Sequence, residues 1–198
     1  MRRRVLGSRL WRRNLAKTSF KKRILLVISG ENELLVGIIA DTHDRLPMLD
    51  KAVKRLKEEE VELVLHAGDY IAPFVVPHFK PLKADFIGVF GNNDGDKELL
   101  KKKFADIGAD IRGNFAEILI DGLKIAMLHG HEEELLHSLI DASSYDVVVH
   151  GHIHEDKTYR KGKTLVINPG EVCGYLTGKS TIALLDTKTL DVEIALLK

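Results

Sequence analysis

Carboxylate, amide and imidazole side chains recur in short clusters along the chain, and these are the groups that bind divalent transition-metal ions. The clusters are Asp41-Thr42-His43, Gly68-Asp69, Gly91-Asn92-Asn93-Asp94, His129-Gly130-His131, Gly151-His152-Ile153-His154 and Asn168-Pro169-Gly170. Most of them follow a short apolar run that is typical of a β-strand. One cluster alone would be weak evidence, whereas potential ligand clusters at successive strand ends indicate a site for two metal ions.

The spacing within the clusters predicts which residues act together. In a strand that ends in Asp-x-His, alternate side chains point to the same side, so Asp41 and His43 are expected to bind one ion together. The same reasoning joins His152 and His154 across Ile153. The glycines within the clusters permit sharp turns and close approach of the backbone.

Two neighbouring metal ions suit phosphoryl transfer, because they acidify water and hold the phosphate oxygens during in-line attack. The carboxylate of Asp69 can bridge two ions, and Asn92 offers a neutral carbonyl oxygen. Such a site requires no protein nucleophile. The sequence has neither a nucleophile elbow nor a G-x-x-x-x-G-K-[ST] phosphate loop, so the chemistry is assigned to the metal ions.

Hydrophobic periodicity predicts the elements that position these clusters. The predicted strands are 35–40, 61–65, 84–90, 115–120, 123–128, 145–149, 164–167, 180–185 and 192–197, and the predicted helices are 46–60, 75–79, 97–107 and 132–139. The alternation in the first half favours a parallel sheet, and Asp121-Gly122 predicts a hairpin turn. We therefore expect an α/β fold, a four-layer α-β-β-α sandwich of two mixed β-sheets flanked by helices.

Charge divides the chain into a basic segment and an acidic domain. Residues 1–30 carry ten Lys or Arg and no Asp or Glu, which leaves the remainder with a balance of −9. We expect residues 1–34 to be a basic N-terminal extension, either disordered or not translated, with 35–198 as the catalytic domain. If the extension is made, residues 23–29 could add an edge strand. The acidic domain disfavours a broad nucleic-acid surface.

The cluster series resembles the calcineurin-like metallophosphoesterases, in particular a small prokaryotic and archaeal branch of short phosphodiesterases. The family pattern D-x-H, G-D, G-N-x-D/E, H-G and G-H-x-H is present in order from about Leu35 to Lys198, and Asn168-Pro169-Gly170 matches a further loop of the branch. The resemblance implies hydrolysis of small phosphodiesters by a metal-bridging hydroxide. It also implies two ligand sets that share one residue: Asp41, His43, Asp69 and His154 for one ion, and Asp69, Asn92, His129 and His152 for the other.

One position departs from the family pattern. Many relatives carry histidine directly after the metal-binding asparagine, and this chain carries Asn93. An amide is not a general acid near neutral pH, so we predict a preference for leaving groups that need little protonation. His131 is the nearest alternative acid, and Asp94 either takes part in catalysis or orients the backbone or a ligand imidazole.

The remaining histidines have simpler interpretations. We expect His66, His78, His137 and His150 to be packed or surface residues, with His66 and His150 also able to support the ligand clusters from behind. The single cysteine, Cys173, excludes an intrachain disulfide and is interpreted as a packed residue, which fits a cytoplasmic protein.

Several properties stay open at this stage. The metals are two divalent ions from Mn, Ni, Co, Fe and Zn, the partner is a small phosphodiester, and a homodimer is one possible assembly. No run is long enough to span a membrane. Monoesters are less favoured, because no Arg or Lys stands within the ligand clusters.

Two functions of other classes compete with this interpretation. One is a non-catalytic protein-interaction scaffold of the same fold, which would not need a complete ligand set. The other is a nuclease, which would need the basic extension.

Overall fold

The computed structural model describes residues 34–198, which form four α-helices and eleven β-strands. The basic extension and its suggested edge strand at 23–29 lie outside the described residues. The described elements are β1 (Leu35–Ile39), α1 (Leu46–Glu58), β2 (Leu63–His66), α2 (Val76–Phe79), β3 (Asp85–Gly88), α3 (Lys97–Asp106), β4 (Asp110–Ile111), β5 (Phe115–Ile120), β6 (Leu123–Leu128), α4 (Glu133–Asp141), β7 (Val147–Val149), β8 (Asp156–Lys161), β9 (Thr164–Pro169), β10 (Thr181–Asp186) and β11 (Val192–Leu196).

The first sheet has six strands in the order β11-β10-β1-β2-β3-β4. The pairings from β1 through β4 are parallel, as the alternation of strands and helices predicted, and β10 joins β1 in the antiparallel direction. The carboxyl ends of β1, β2 and β3 therefore lie at the same edge of this sheet. The loops that follow these three strands carry the first three ligand clusters.

The second sheet has five strands in the order β5-β6-β7-β9-β8. Strands β5 and β6 form the predicted hairpin, and both turn residues, Asp121 and Gly122, have the positive φ that a tight turn of this kind requires. Strands β6, β7 and β9 are parallel, so their carboxyl ends also share an edge. Two of the remaining clusters follow β6 and β7, and the third, Asn168-Pro169-Gly170, begins within the last residues of β9.

Three apolar clusters give the molecule its four layers. Alternate residues of β1, such as Val36 and Ile38, pack between the two sheets, whereas Ile39 faces the helices on the outer side of the first sheet. On the outer side of the second sheet, Leu136 and Ile140 of α4 cover residues of β6, β7 and β9. The predicted four-layer α-β-β-α sandwich is confirmed.

Two strands were not predicted from the sequence. Strand β8 is an edge strand whose side chains are mostly exposed, so its sequence, Asp156–Lys161, is charged and lacks the apolar alternation of a half-buried strand. Strand β4 is only two residues long, Asp110–Ile111, which is too short for a pattern. Both lie at sheet edges, where burial imposes the least constraint on the sequence.

The predicted helices are found with small shifts at their ends. Helix α1 begins with Pro47 in its first turn and ends at Glu58, two residues early, because Glu60 adopts a left-handed conformation. Asp96 caps α3 by accepting a hydrogen bond from the Leu99 amide at 2.9 Å. Within residues 34–198, every helix is too short or too polar to traverse a bilayer.

Candidate metal centre

The loops after β1, β2 and β6 bring carboxylates and imidazoles into direct proximity. The ligating atoms of Asp41, His43 and Asp69 all lie within 4.8 Å of one another. His129 Nε2 lies 3.3 Å from Asp69 Oδ2 and 4.0 Å from Asp41 Oδ1. His154 Nε2, from the loop after β7, lies 3.5 Å from Asp41 Oδ1. Residues separated by more than a hundred positions thus meet where the carboxyl ends of strands from both sheets lie side by side.

The hydrogen bonds of two histidines fix which ring nitrogen faces the cluster. His129 Nδ1 lies 2.8 Å from the carbonyl oxygen of Ala67, and a carbonyl can only accept, so this nitrogen carries the proton. His154 Nδ1 likewise donates a hydrogen bond to the carboxylate of Glu171 at 2.7 Å. In each ring the lone pair is therefore on Nε2, the atom that points toward Asp41. This is the arrangement of metal-ligating histidines, whose second nitrogen donates to an oxygen.

Several buried polar atoms of the cluster find no hydrogen-bond partner among residues 34–198. They are Asp41 Oδ1, His43 Nε2, His129 Nε2 and His131 Nδ1. Buried polar atoms without partners are rare in folded proteins, because each costs about 1–3 kcal/mol. A cation would accept the lone pairs of the carboxylate oxygen and the imidazole nitrogens at the same time. These residues therefore fit a divalent transition-metal ion.

The pKa values of the two central carboxylates reflect their different surroundings. Burial raises the pKa of Asp41 to about 6, although His129 and His154 oppose the shift. Burial also acts to raise the pKa of Asp69, but His129 and two hydrogen bonds from Asn93 outweigh it and hold that pKa below its usual range. The Asn93 amide and side chain donate to the two carboxylate oxygens of Asp69 at 2.9 and 2.7 Å, so both oxygens are held in place.

Backbone strain, and not strand alternation, directs these side chains into the cluster. Strand β1 ends at Ile39, and both Asp41 and His43 lie beyond it with φ of 50° and 42°. The prediction that Asp41 and His43 lie together is therefore confirmed, but the reason given for it, a continuing strand, was wrong. Left-handed backbone recurs at Asp69, His152 and His154. Non-glycine residues rarely adopt it, and such strain collects at functional sites.

Two glycines allow the loops to approach the carboxylates closely. A Cβ atom on Gly91 would lie 2.0 Å from Asp69 Oδ1, and one on Gly151 would lie 2.7 Å from Asp41 Oδ2. Real Cβ atoms do not come this close, so only glycine leaves space for the carboxylates. The prediction that glycines in the clusters serve close approach is confirmed at these two positions.

Two of the other predicted residues, His152 and His131, lie beside this centre. His152 is half-buried, its amide donates to Asp41 Oδ2 at 3.0 Å, and its ring centroid is 5.1 Å from that of His129. His131 lies on the same side, 5.6 Å from the His129 ring. Asn92 is exposed on the loop that also carries Asn93. His152 and His131 border the cluster and are less enclosed than Asp41 and Asp69.

Asp94 is placed to hold the loops together. Its buried carboxylate accepts hydrogen bonds from four backbone amides, those of Asp69, Tyr70, Ile71 and Gly91, at 2.6–3.2 Å. These bonds join the loop after β2 to the loop after β3. Of the two roles considered for Asp94, the contacts support orientation of the backbone.

Glu171 is a buried carboxylate of the site that the sequence interpretation missed. It follows Gly170 directly, so its position after the last cluster was the available signal. Besides His154, it accepts hydrogen bonds from the amides of Tyr175, Leu176 and Thr177, the Thr177 hydroxyl and the Cys173 thiol. Burial acts to raise the pKa of Glu171, but these bonds outweigh it and lower the pKa to about 2. The carboxylate joins a predicted ligand to the loop that follows β9.

The remaining polar residues near the centre support the loops. His66 is buried and contacts the Thr42 hydroxyl at 3.1 Å, and Asn168 donates to the Gly151 carbonyl oxygen at 2.9 Å. Cys173 lies near His43 and His154, but burial raises its pKa well above the usual range, so the thiol stays protonated and donates to Glu171. Cys173 is thus a packed residue, as predicted.

Two of the other histidines lie on the surface and one is enclosed. His78 is paired with Asp50 at 2.7 Å, and His137 is exposed on α4. His150 is buried beside the Gly151 carbonyl oxygen at 3.1 Å, and burial lowers its pKa to about 4. His150 therefore stays neutral and packs behind the cluster that carries His152.

The geometry also brings a cation to the rim of the centre. Arg45, at the start of α1, donates a hydrogen bond to the Cys173 carbonyl oxygen, and its guanidinium lies 5.4 Å from the centroid of the Tyr175 ring. Tyr175 in turn lies 6.2 Å from the His43 ring. No Arg or Lys is part of the ligand clusters in the sequence, yet the fold places one beside them.

Two stacked mixed sheets that join carboxylates and imidazoles at one edge are the architecture of a metallophosphoesterase. The family model described as the calcineurin-like phosphoesterase superfamily domain matches residues 34–190. The chain belongs to this superfamily.

Individual relatives agree with this assignment. A phosphodiesterase from Methanocaldococcus jannaschii is 45% identical over 154 residues, which is 77% of this chain and 93% of that protein. The solved structure of an archaeal phosphodiesterase has a TM-score of 0.80 at 42% identity and covers 83% of this chain and 100% of its own. Vps29 from Entamoeba histolytica shares the fold alone, with a TM-score of 0.60 at 20% identity over 82% of this chain and 98% of its own.

Proposed function

We propose that the chain is a metal-dependent phosphodiesterase that hydrolyses small phosphodiesters at the candidate metal centre, beyond the carboxyl ends of strands from both sheets. The observation that carries this proposal is the set of buried, unpartnered ligand atoms on Asp41, His43 and His129, which face one another across a few ångströms. Family membership and the 45% identical phosphodiesterase support the same reaction.

The proposed ligands form two sets that share Asp69. One ion would be held by Asp41, His43, Asp69 and His154, and the other by Asp69, Asn92, His129 and His152. Two such ions, when bound, supply an activated water as nucleophile and neutralise charge on the phosphate. The mixture of imidazole and carboxylate suits Mn, Ni, Co, Fe or Zn.

The protein's own contribution is to hold these ligands before metal and substrate arrive. Ala67 and Glu171 fix the proton of His129 and His154 on Nδ1, so that each Nε2 is available. Asn93 orients both oxygens of Asp69. A site arranged in advance does not have to reorganise during the reaction.

The leaving group is the step for which this chain is least equipped. The Asn93 side chain is already bound to Asp69 Oδ2 and carries no proton that it can release near neutral pH. Asp94 is occupied by four backbone amides. His131 is the remaining candidate acid, 6.1 Å from the His152 ring centroid. We therefore infer a preference for diesters whose leaving groups are stable as anions.

Location and assembly complete the proposal. We infer a cytoplasmic protein from its single cysteine, which is buried and protonated. Assembly as a homodimer is a separate proposal that light scattering at several concentrations would test.

The direct test is purification of the full chain followed by assay under Mn, Ni, Co, Zn and Mg. A panel pairs bis(p-nitrophenyl) phosphate with p-nitrophenyl phosphate, which share a leaving group and differ in charge. We expect metal-dependent cleavage of the diester to exceed that of the monoester. Absence of diester cleavage with every metal would refute the proposal, and cleavage that persists in a chelator would refute its metal dependence.

A further inference from the structure

We propose that Tyr175 and Arg45 form an aryl-binding surface that receives a planar aromatic substituent of the diester. This inference rests on the proposed function, because it names the class of substrate at the same site. The surface is defined as the Tyr175 ring, the Arg45 guanidinium that lies over it, and the adjoining edge of His43.

The position of Tyr175 places an aromatic ring next to His43, one of the candidate ligands. Its ring centroid lies 6.2 Å from that of His43, and the His43 centroid lies 5.3 Å from that of His154. Tyr175 is nevertheless 55% exposed, so most of the ring is open to a bound molecule. A phosphodiester bound at the candidate centre would therefore have an open aromatic ring beside it for one of its ester substituents.

Hydrogen bonds fix the backbone that carries Tyr175, and the Arg45 guanidinium lies over its ring. The Tyr175 amide donates to Glu171 Oε2 at 2.9 Å, and the next two amides also bind that carboxylate. Arg45 ties the loop to the start of α1 through the Cys173 carbonyl oxygen. An aromatic side chain that is fixed before binding loses little conformational entropy when it contacts a ligand.

The charges at the surface match a diester with an aromatic substituent. The Arg45 guanidinium lies 5.4 Å from the Tyr175 ring centroid and is half-buried, so its charge is partly removed from water on the same surface as the ring. A phosphodiester carries one negative charge, which a single guanidinium complements. Aromatic rings pair with each other by offset or edge contacts in addition to their burial.

The test keeps the leaving group constant and changes only the substituent that stays on the phosphate. The substrates are phenyl p-nitrophenyl phosphate and methyl p-nitrophenyl phosphate, assayed with the full chain. We expect Tyr175→Leu to raise KM for the phenyl diester by roughly 2- to 10-fold, the range of an aromatic pair, and to change the methyl diester much less. Tyr175→Phe keeps the ring and should retain the preference.

Tyr159 provides a matched control, because Lys157 lies 5.4 Å from its ring centroid, as Arg45 does from Tyr175. Tyr159 is on β8, packed against the outer apolar cluster beneath α4. Tyr159→Leu should leave the ratio of the two KM values unchanged. Equal KM ratios in the wild type and Tyr175→Leu would overturn the aryl-binding surface while leaving phosphodiesterase activity established.

A binding measurement separates this inference from the proposed function. Phenylphosphonate and methylphosphonate have phosphorus–carbon bonds that are not hydrolysed, so calorimetric titration reports binding alone. Tighter binding of phenylphosphonate, lost in Tyr175→Leu, supports the surface even if neither diester is cleaved, in which case the proposed function fails instead. Equal affinity of the wild type for both phosphonates would overturn the surface.

Discussion

At the scale of single residues, the centre combines groups that are unfavourable by themselves. Asp41 and Asp69 are two buried carboxylates that both lie close to the His129 imidazole. Burial acts to lower the pKa of His129, but the attraction of the two carboxylates outweighs it and raises that pKa. Three ligand atoms have no partner among the described residues. Bound cations would satisfy these atoms together, which is why we propose that the arrangement serves to bind metal.

Glu171 is expected to control metal affinity through His154. The change Glu171→Gln keeps the size of the side chain but removes the charge that holds the imidazole proton on Nδ1. We predict roughly 10- to 100-fold weaker metal binding, as found when carboxylates that support ligand histidines are replaced. Titration against a competing chelator measures the effect. Glu155→Gln, an exposed carboxylate directly after His154, is the control, and equal affinity in both variants would show that Glu171 has no such role.

Asn93 is expected to set how the rate depends on the leaving group. In Asn93→His we predict that diesters with poor leaving groups gain most, because an imidazole can donate a proton to the departing oxygen. The measurement is the slope of log kcat against leaving-group pKa, which should become shallower. Asn93→Ala is the control, because it removes the bonds to Asp69 without adding an acid. An unchanged slope in Asn93→His would count against the assignment.

Most residues that meet at the candidate centre could be predicted from the sequence, because their types and order are specific. Glu171 could not be predicted in this way, since a single carboxylate after a turn forms no recognisable sequence motif. Its role arises only when β9 brings it beside His154. Tyr175 and Arg45 are likewise separated by 130 positions in the chain and meet only in the fold.

At the scale of elements, close packing of loops holds the ligands. Gly91→Ala would place a methyl group 2.0 Å from Asp69 Oδ1 and 2.7 Å from the Asp69 amide nitrogen, so backbone as well as side chain would have to move. We predict a loss of stability of about 1–3 kcal/mol together with weaker metal binding. Chemical unfolding and metal titration measure the two effects.

Gly95→Ala serves as the control for this change, because it lies on the same loop and its nearest contact would be the Ile71 carbonyl oxygen at 3.1 Å. It should have a much smaller effect on metal binding. Equal losses in Gly91→Ala and Gly95→Ala would mean that the loop, and not the contact with Asp69, is responsible.

The elements themselves could be predicted wherever burial imposes a pattern. Strand β1 is buried on both faces and reads as a continuous apolar run. Strand β8 is exposed apart from the half-buried Tyr159, so its existence depends on pairing with β9 and leaves no periodicity. The left-handed backbone at Asp41 and His43 was equally hidden, because it depends on contacts with the neighbouring loops.

At the scale of the whole molecule, the candidate centre and all three apolar clusters lie within residues 34–198. We predict that removal of residues 1–33 leaves kcat/KM for a small diester within about twofold, which is less than about 0.5 kcal/mol of transition-state stabilisation, because every residue proposed for the centre lies at position 41 or beyond. A loss of diester cleavage on truncation would contradict this. A nuclease activity that disappears with the basic segment would instead favour the competing function.

The account depends above all on two metal ions that share Asp69. The most direct measurement is the metal content of the full chain, determined by elemental analysis after equilibration and removal of free ions, beside the Asp69→Asn variant. We predict two ions per chain in the wild type, and fewer than two with most of the diesterase activity lost in Asp69→Asn. A wild type that holds one ion or none while cleaving diesters, or a variant that keeps two ions and the full rate, would contradict the account.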